Sequence, residues 1–337
     1  MLTKNEYRKL FDSFSSQRVM IIGDVMVDSY LFGKVERISP EAPVPVVSVN
    51  YRSNRLGGAA NVALNINSMG AVPVLCSVIG NDEKADTFIK LLKTDNLPVQ
   101  GIIKSKNRIT TTKFRIIGNN TQMLRVDEET ESDLDTDDRH ELLKRIENIL
   151  ENDEINVIVF QDYDKGILCQ EVINTIIDLA NKFKIPVVVD PKKKNFKAYK
   201  NINLFKPNLK ELKEGLNIDL ELSEIENLRN AIEQLHKSQN IEIVLTTLSE
   251  AGVFISYKNE NNTFTNKQIP AHIRSIADVS GAGDTVIGLA SLCLASKLPY
   301  PELAKIANLA GGLVCEEVGV VPINKEKLFD ELVGGME

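Results

Sequence analysis

Cysteine is scarce in this chain: there are four among 337 residues, at Cys76, Cys169, Cys293 and Cys315. None stands in a CxxC or CxxxH pair, so neither a zinc site nor a redox motif is indicated. Their apolar neighbours mark them as reduced core residues of a cytoplasmic protein. The three histidines, His140, His236 and His272, are isolated and lack metal-ligand spacing, so they read as surface or loop residues. Positive charge is also in deficit, with 40 Lys+Arg against 47 Asp+Glu and a net charge of -7. That removes the global attraction of a basic protein to nucleic acid or anionic lipid, and any phosphorylated ligand must be caught by a local site. The N-terminal MLTKNEYRKLFDSF has no apolar stretch of the signal-peptide kind. The apolar run Val286 to Ala295 is far too short to span a bilayer. No Walker A motif GxxxxGK[ST] occurs, which excludes a P-loop enzyme by motif, and no GxGxxG follows the first strand.

What is present is ordinary globular material, 43% hydrophobic and 26% charged, without repeats or low-complexity segments. Length at roughly 150 residues per domain suggests two domains, yet α/β folds often run longer as one. Strand and helix patterns alternate along the chain. A helix over about 4–14 precedes VMIIGD, a buried strand ending at Gly23-Asp24. Residues 58–69 have helical spacing and stop at Gly70, VPVLCSVIG (72–80) reads as a strand, and DEKADTFIKLLKTD reads as a helix. INVIVF (155–160), IPVVVD (185–190), NLFKP (203–207) and IEIVLTT (241–247) are short β-branched runs that fit parallel strands buried on both faces. The expectation is an α/β fold with a mainly parallel central sheet covered by helices. Two stretches break the rhythm. Residues 30–55 carry three prolines and alternating apolar positions, and residues 101–127 form a meander with an Asn-Asn turn. Together they predict a small β-sheet projecting from the main domain, and two ordinary surface hairpins fit the same pattern.

Three constellations bear on chemistry. In DVSGAGDTVIGLASLCLA (278–295), Gly281-Ala282-Gly283 opens a helix of small apolar residues. Unpaired N–H groups and the positive dipole end make a helix N-terminus an anion hole. Asp284 sits in the first turn beside it; an acid there serves as a dipole-friendly cap or as a base for a substrate hydroxyl, and the motif alone leaves both open. Acids also collect at strand ends: Asp24 and Asp28 after the first strand, Asp162 and Asp164 after VIVF, and Asp190 after VVV, with Asn208 after NLFKP. In open α/β sheets ligands bind beyond the carboxyl ends of the strands, and carboxylates accept well from sugar hydroxyls. Each of these acids taken alone is more often a turn residue. The third constellation is LGGAANVALN (56–65), where Gly57-Gly58 precedes a helix with Asn61 in its first turn.

GGAANVALN early and DVSGAGDTVIG late resemble the two signatures of the PfkB, or ribokinase-like, carbohydrate kinases, and KPNLKEL and TTLSEAGV follow in the family's order. The resemblance covers essentially the whole chain. It implies one ribokinase-like domain over 1–337, with lid segments at about 30–55 and 101–127, using ATP and Mg²⁺. Carried onto this sequence, Asp284 matches the catalytic base, and Ser280 to Gly283, including Gly281 and Ala282, match the anion hole. Asn208 and Glu211 match the ATP side, with Glu211 near the Mg²⁺-bound phosphates. Thr247 to Gly252 match the nucleotide loop, where Ser249 replaces a common glycine and implies a slightly different backbone path. Asn308 matches a position beside the adenine pocket, and Asp278 one tied to a monovalent cation such as K⁺. Asp28, Gly57, Gly58 and Asn61 match sugar-hydroxyl contacts, and Asp162 and Lys165 of the DYDKG loop are expected to face the sugar or its phosphate.

Within the family, RISPEAPVPVV, the DYDKG loop and VVVDPKKKNFKAYKNINLFKPN are similar to the branch that phosphorylates D-glycero-β-D-manno-heptose 7-phosphate at O1 on the way to ADP-heptose and lipopolysaccharide. The sequence has no HxGH nucleotidyltransferase signature and stops soon after the kinase pattern, so the expectation is a kinase without an adenylyltransferase module. Other sugars or nucleosides, and a non-catalytic binding protein on the same fold, are the alternatives. Arg37 and Lys165 are the expected cations for the sugar phosphate. The expected partners are a sugar phosphate, ATP and a second copy of the chain in a homodimer, with no nucleic acid and no membrane.

Overall fold

The computed structural model describes residues 2–220, 225–261, 263–272 and 275–334. Helix α1 (Lys4–Ser13) starts at a capping box between Thr3 and Glu6 and buries Tyr7, Leu10 and Phe11. It leads into β1 (Arg18–Gly23), β2 (Val25–Ile38), β3 (Pro45–Gly58), α2 (Ala59–Ser68), β4 (Val72–Ile79), α3 (Glu83–Thr94) and β5 (Ile102–Lys104). Then come β6 (Thr112–Gly118), β7 (Thr121–Glu128), α4 (Thr136–Asn152), β8 (Val157–Gln161), α5 (Gln170–Phe183), β9 (Val187–Asp190) and β10 (Leu204–Phe205). The last part holds α6 (Leu209–Leu216), α7 (Ile225–Gln239), β11 (Ile243–Thr247), β12 (Val253–Lys258), β13 (Phe264–Ile269), α8 (Ala282–Ala295), α9 (Tyr300–Val314) and α10 (Lys325–Gly334).

Among the described residues nine strands form the main sheet in the order β13-β12-β11-β10-β9-β8-β1-β4-β5. The ladders from β11 to β5 are parallel, and β12 and β13 close one edge antiparallel. Alternate residues of one strand enter different cores. Val19, Ile21, Val159 and Val188 pack with α2, α8 and α9, whereas Met20, Ile22, Ile158, Phe160 and Val189 pack with α4 and α5. Burial on both faces is why these strands read as unbroken apolar runs rather than as alternation. Helix α8 is apolar nearly all round and buried from Asp284 to Cys293, between α2 and α9. Among the described residues no helix is long and apolar enough to cross a membrane.

The small sheet has the order β3-β2-β6-β7. Strand β2 leaves the core as it runs: Val25 to Ser29 are buried, and exposure grows toward Ile38. Asn119 and Asn120, at φ of 52° and 62°, supply the left-handed pair that a two-residue hairpin turn between β6 and β7 needs. The expected lid stretch 101–127 divides, because Ile102 to Lys104 pair in parallel with Ser77 to Ile79 and belong to the main sheet.

Other readings are also corrected. The NLFKP run yields a ladder of only Leu204 and Phe205. The β12–β13 hairpin escaped the sequence reading because β13, FTNKQI, is a half-exposed edge with little apolar signal. His236 is a core residue rather than a surface one: its ring nitrogens lie 2.7 Å from the Ile241 carbonyl and 3.0 Å from Ser256 Oγ, and Phe264 stacks on it. Burial lowers its pKa and keeps the ring neutral.

Gly58 joins the two sheets at the start of α2, with φ 62° and ψ -137°. A Cβ there would lie 2.4 Å from the Asp24 carbonyl oxygen. Backbone in this glycine-only region costs another residue about 1–3 kcal/mol before the clash is added. Gly58→Ala is expected to lower the unfolding free energy by roughly 2 kcal/mol or more in urea denaturation; an unchanged midpoint would show that the turn relaxes freely.

Candidate active site

The carboxyl ends of the parallel strands and the N-terminus of α8 meet around Asp284. Gly281, the residue before the helix, has φ 82°, and a Cβ there would come 2.8 Å from Asn61 Nδ2. The first helical bond is donated by Thr285 N–H to the Gly281 carbonyl at 3.0 Å. The Gly283 and Asp284 N–H groups precede it and have no acceptor among the described residues. Lys206 Nζ lies 3.6 Å from the position a Gly283 Cβ would take. Two free N–H groups, a helix dipole and a buried ammonium therefore converge, which is an anion hole in chemical terms.

Asp284 is held by three donors. Asn61 Nδ2 donates to Oδ2 at 2.7 Å, while Gln161 Nε2 at 3.0 Å and the Tyr163 hydroxyl at 2.8 Å donate to Oδ1. An ionised carboxylate has about four acceptor sites, so the one left lies on Oδ2. Burial pushes the Asp284 carboxyl up to about 6, with the Asp190 charge adding to it and the Asn61 and Tyr163 hydrogen bonds opposing. Tyr163 is itself driven well above its ordinary pKa, first by burial and then by Asp284, so it stays protonated as a donor. Gln161 Nε2 also reaches Asp190 Oδ2 at 3.2 Å, and Lys206 Nζ pairs with that oxygen at 3.1 Å. Asp284, Gln161, Asp190 and Lys206 thus form one chain across β8, β9 and the end of β10. Gln161, Tyr163 and Lys206 were not singled out from sequence; their position just past strand ends was the available signal.

The predicted nucleotide-side residues also adjoin one another. Asn208 and Glu211 form a capping box at α6, and Lys192 is ion-paired with Glu211. Between Thr247 and Gly252 a short 3₁₀ turn bends back into β12. Ser249 takes φ 52°, so serine adopts the left-handed conformation that glycine would, and the expected detour of the backbone is not needed. Gly252 packs on Ile269 and Ala271 backbone, and Asn308 Nδ2 donates to the neighbouring Pro270 carbonyl at 2.9 Å. Asp278 accepts from Ser280 N–H at 2.9 Å and Gly319 N–H at 3.0 Å, and these bonds hold its pKa below the usual carboxylate value despite partial burial.

On the lid side, Asp28 is buried, ion-paired with Arg115, and fitted against Gly57, where a Cβ would lie 2.4 Å from its Oδ2. The other acids serve the framework. Asp24 accepts from the Tyr163, Lys165 and Ile167 N–H groups at 2.8, 3.2 and 3.1 Å and so folds the DYDKG loop onto β1. Burial and the Asp162 charge push Asp24 up to about 6 against those three donors. Asp162, expected at the sugar, is enclosed instead: Tyr199 OH at 2.7 Å, Asn195 Nδ2 at 3.0 Å and Asp164 N–H at 2.9 Å occupy it. Lys165 is engaged by Glu129 at 2.7 Å and Glu131 at 2.8 Å. Arg37 is exposed on β2, nine residues beyond Asp28, which is roughly 30 Å along an extended strand. The structure does not bring it to Asp284. A cleft of about 1130 Å³ among Pro186, Asn203, Glu242, Lys258 and Tyr300 lies at the opposite, N-terminal edge of the sheet and shares nothing with this cluster.

The pfkB family carbohydrate kinase profile matches residues 16–327. The Helicobacter pylori (strain J99) protein named Bifunctional protein HldE is 39% identical over 312 residues, which are 93% of this chain and 65% of that protein. The Aliarcobacter butzleri protein of the same name is 36% identical, covering 93% of this chain and 63% of that one. The chain therefore spans about 65% of the length of the curated relatives it matches. In fold, it resembles Escherichia coli phosphofructokinase-2 in complex with potassium, with TM-score 0.77, 20% identity and coverage of 94% and 99% of the two chains. Arabidopsis thaliana ribokinase complexed with ribose and ATP gives TM-score 0.69 at 16% identity, covering 93% and 98%.

The raised Asp284 pKa has a sign that can be measured. Its folded value lies above the ordinary 3.8, so its contribution to stability is fully present below about pH 3.8 and is lost as pH rises through about 6. A carbon-13 carboxyl titration of Asp284 is expected to show a midpoint near pH 6. Tyr163→Phe removes a donor to the ionised form and should move that midpoint upward. A midpoint near 4 in the native protein would contradict the burial described.

Proposed function

The chain belongs to the pfkB family of carbohydrate kinases and is a sugar kinase, and we propose that it transfers the γ-phosphoryl group of ATP to the anomeric hydroxyl of D-glycero-β-D-manno-heptose 7-phosphate. The observation that carries the chemistry is the Asp284 carboxylate, with one acceptor site left on Oδ2, beside the free Gly283 and Asp284 N–H groups and Lys206. The choice of a heptose phosphate is supported by the RISPEAPVPVV and DYDKG segments and their relation to the longer bifunctional relatives.

In the proposed reaction the sugar O1–H donates to Asp284 Oδ2. O1 attacks the γ-phosphorus as the bond to the β,γ-bridging oxygen breaks. The proton passes to Asp284 and ADP leaves with the bridging oxygen. Asn61, Gln161 and Tyr163 keep the carboxylate aimed, and the α8 N–H groups with Lys206 stabilise charge on the transferred group, the main need in phosphoryl transfer. Gly281 and Ala282 set the helix start, Asn208, Thr247, Ser249, Gly252 and Asn308 border the nucleotide, and Asp28, Gly57 and Gly58 border the sugar.

The residues fit Mg²⁺ arriving on the nucleotide phosphates. Asp190 Oδ1 is buried without a hydrogen-bond partner, and Glu211 is reached through Lys192 and its own cap, which suits contact through water. Mg²⁺ commonly keeps several waters and is held through one or two carboxylates together with substrate phosphates. When bound, Mg²⁺ would supply neutralisation of the charge on the nucleotide phosphates. A K⁺ ion would be held at Asp278, whose oxygens each keep an acceptor site beyond the Ser280 and Gly319 N–H groups.

The lid supports a homodimer. Leu124 and Val126, on the face of the lid opposite Asp28, expose 54% and 43% of their surface, an apolar area that a second lid would cover. Leu124→Glu with Val126→Lys is expected to convert a dimer to a monomer in sedimentation velocity; an unaltered dimer would place the interface elsewhere.

The activity is tested by a coupled ADP-release screen over sugars and sugar phosphates, with NMR of the product to locate the new phosphate. Heptose 7-phosphate should give the 1,7-bisphosphate. Asp284→Asn should retain ATP binding while turnover drops by about 10²–10⁴-fold. Turnover of free ribose or a nucleoside, with none on heptose 7-phosphate, would leave only the family assignment standing.

A further inference from the structure

We propose that Asp24 is a positioning residue for Asp284: its N–H, carbonyl and carboxylate each hold one of the three segments that supply the Asp284 donors. Its bearing on turnover rests on reading Asp284 as the base. The donors are Asn61 Nδ2, Gln161 Nε2 and the Tyr163 hydroxyl. Asp24 N–H donates to the Gln161 carbonyl at 3.3 Å. The Asp24 carbonyl accepts from Ala59 N–H at 2.9 Å, two residues before Asn61 in α2. Asp24 Oδ2 accepts from Tyr163 N–H at 2.8 Å. One residue thus fixes the backbone behind all three donors.

The loop after β8 is shaped to meet a carboxylate. Oδ2 of Asp24 also takes Lys165 N–H at 3.2 Å, and Oδ1 takes Ile167 N–H at 3.1 Å. Asp164 and Gly166, at φ of 57° and 87°, turn the N–H groups of residues 163, 165 and 167 toward one centre. Alternation of this kind makes a concave nest of backbone donors that suits an anion. An ionised carboxylate is acceptor on every side and satisfies three donors at once. An amide in its place has one oxygen and sets N–H against N–H. Asp24 is buried, so it acts on the reaction only through other residues.

The backbones around Asp24 have no slack. A Cβ on Gly23 would lie 1.9 Å from the Gln161 carbonyl oxygen, and one on Gly58 2.4 Å from the Asp24 carbonyl oxygen. A shift of the loop is therefore carried to the Tyr163 hydroxyl rather than absorbed nearby. The charged and titratable groups facing Asp24 are Asp162, Arg108 and Tyr199. Those facing Asp284 are Asp190, Lys206, Lys192 and Tyr163. Asp24→Asn leaves all of them in place. Removing the Asp24 negative charge by itself would lower the Asp284 midpoint, whereas losing the Tyr163 donor raises it. The sign of the change therefore separates donor placement from charge removal.

The test compares wild type, Asp24→Asn, Tyr163→Phe and the double variant by carbon-13 carboxyl titration of Asp284 and by the pH dependence of kcat on heptose 7-phosphate and ATP. Asp24→Ser, smaller and uncharged, repeats the test if the amide variant unfolds. Loss of one charge-assisted donor should raise the Asp284 midpoint by about one pH unit. The acid limb of kcat should move up with it, and kcat at pH 7 should fall up to about 10-fold while the ATP Kd stays within about twofold. In the Tyr163→Phe background Asp24→Asn should add less than about half of its own shift, because both act through one hydroxyl. A lowered or unchanged Asp284 midpoint, or full additivity with Tyr163→Phe, overturns the positioning role. Failure of both Asp24 variants to fold in thermal melting also overturns it, since Asp24 would then serve the fold alone. The titration decides the positioning whichever sugar is used. Midpoints that move as stated, with Asp284→Asn keeping its turnover, overturn the base reading and leave the positioning intact.

Discussion

A buried carboxylate needs donors, and the arrangement of this site follows from supplying them to Asp284. Its three partners come from three places in the chain: Asn61 from α2, Gln161 from the end of β8, and Tyr163 from the loop beyond it. Each donor stabilises the charged form that burial opposes. The result is a carboxyl group pushed up to about 6 and largely ionised at neutral pH, the protonation state that the proposed role as base requires. Because three of its acceptor sites are used, the carboxylate also has a direction.

The same donors tie the site to the fold. Gln161 bridges Asp284 to Asp190, and Asp190 holds Lys206 beside the start of α8. Gln161, Asp190 and Lys206 lie at the ends of neighbouring strands, so the parallel order β10-β9-β8 sets them in a row that leads to Asp284 at the start of α8. Asp24, at the end of β1, fixes the loop carrying Tyr163 through backbone N–H groups. The lid grows out of the same strand ends, since β2 starts two residues after β1 stops and β3 runs directly into α2. Lid and α8 are thereby connected through Gly57, Gly58 and Asn61.

Much of this was legible in sequence, and the reasons for the rest are physical. The doubly buried strands announced themselves as β-branched runs, and GAGD with GGAAN gave the helix starts and the family. The helix pattern could not say whether Asp284 caps or catalyses; what bears on that choice is its enclosure by Gln161 and Tyr163, which are more than 120 residues away in sequence. Asp162 and Lys165 misled because a loop motif near a site contains both the residues that face it and those that brace it. Only the partners Tyr199, Asn195, Glu129 and Glu131 show that these two brace it. Arg37 misled because a 14-residue strand carries its far end out of reach.

The most direct test is a crystal structure of the protein with heptose 7-phosphate and a non-hydrolysable ATP analogue. The account predicts the sugar O1 within hydrogen-bond reach of Asp284 Oδ2, at about 2.6–3.2 Å, with the γ-phosphate analogue against the Gly283 and Asp284 N–H groups. O1 placed against Asp28 or Asp162, with Asp284 contacting only the protein, would contradict it.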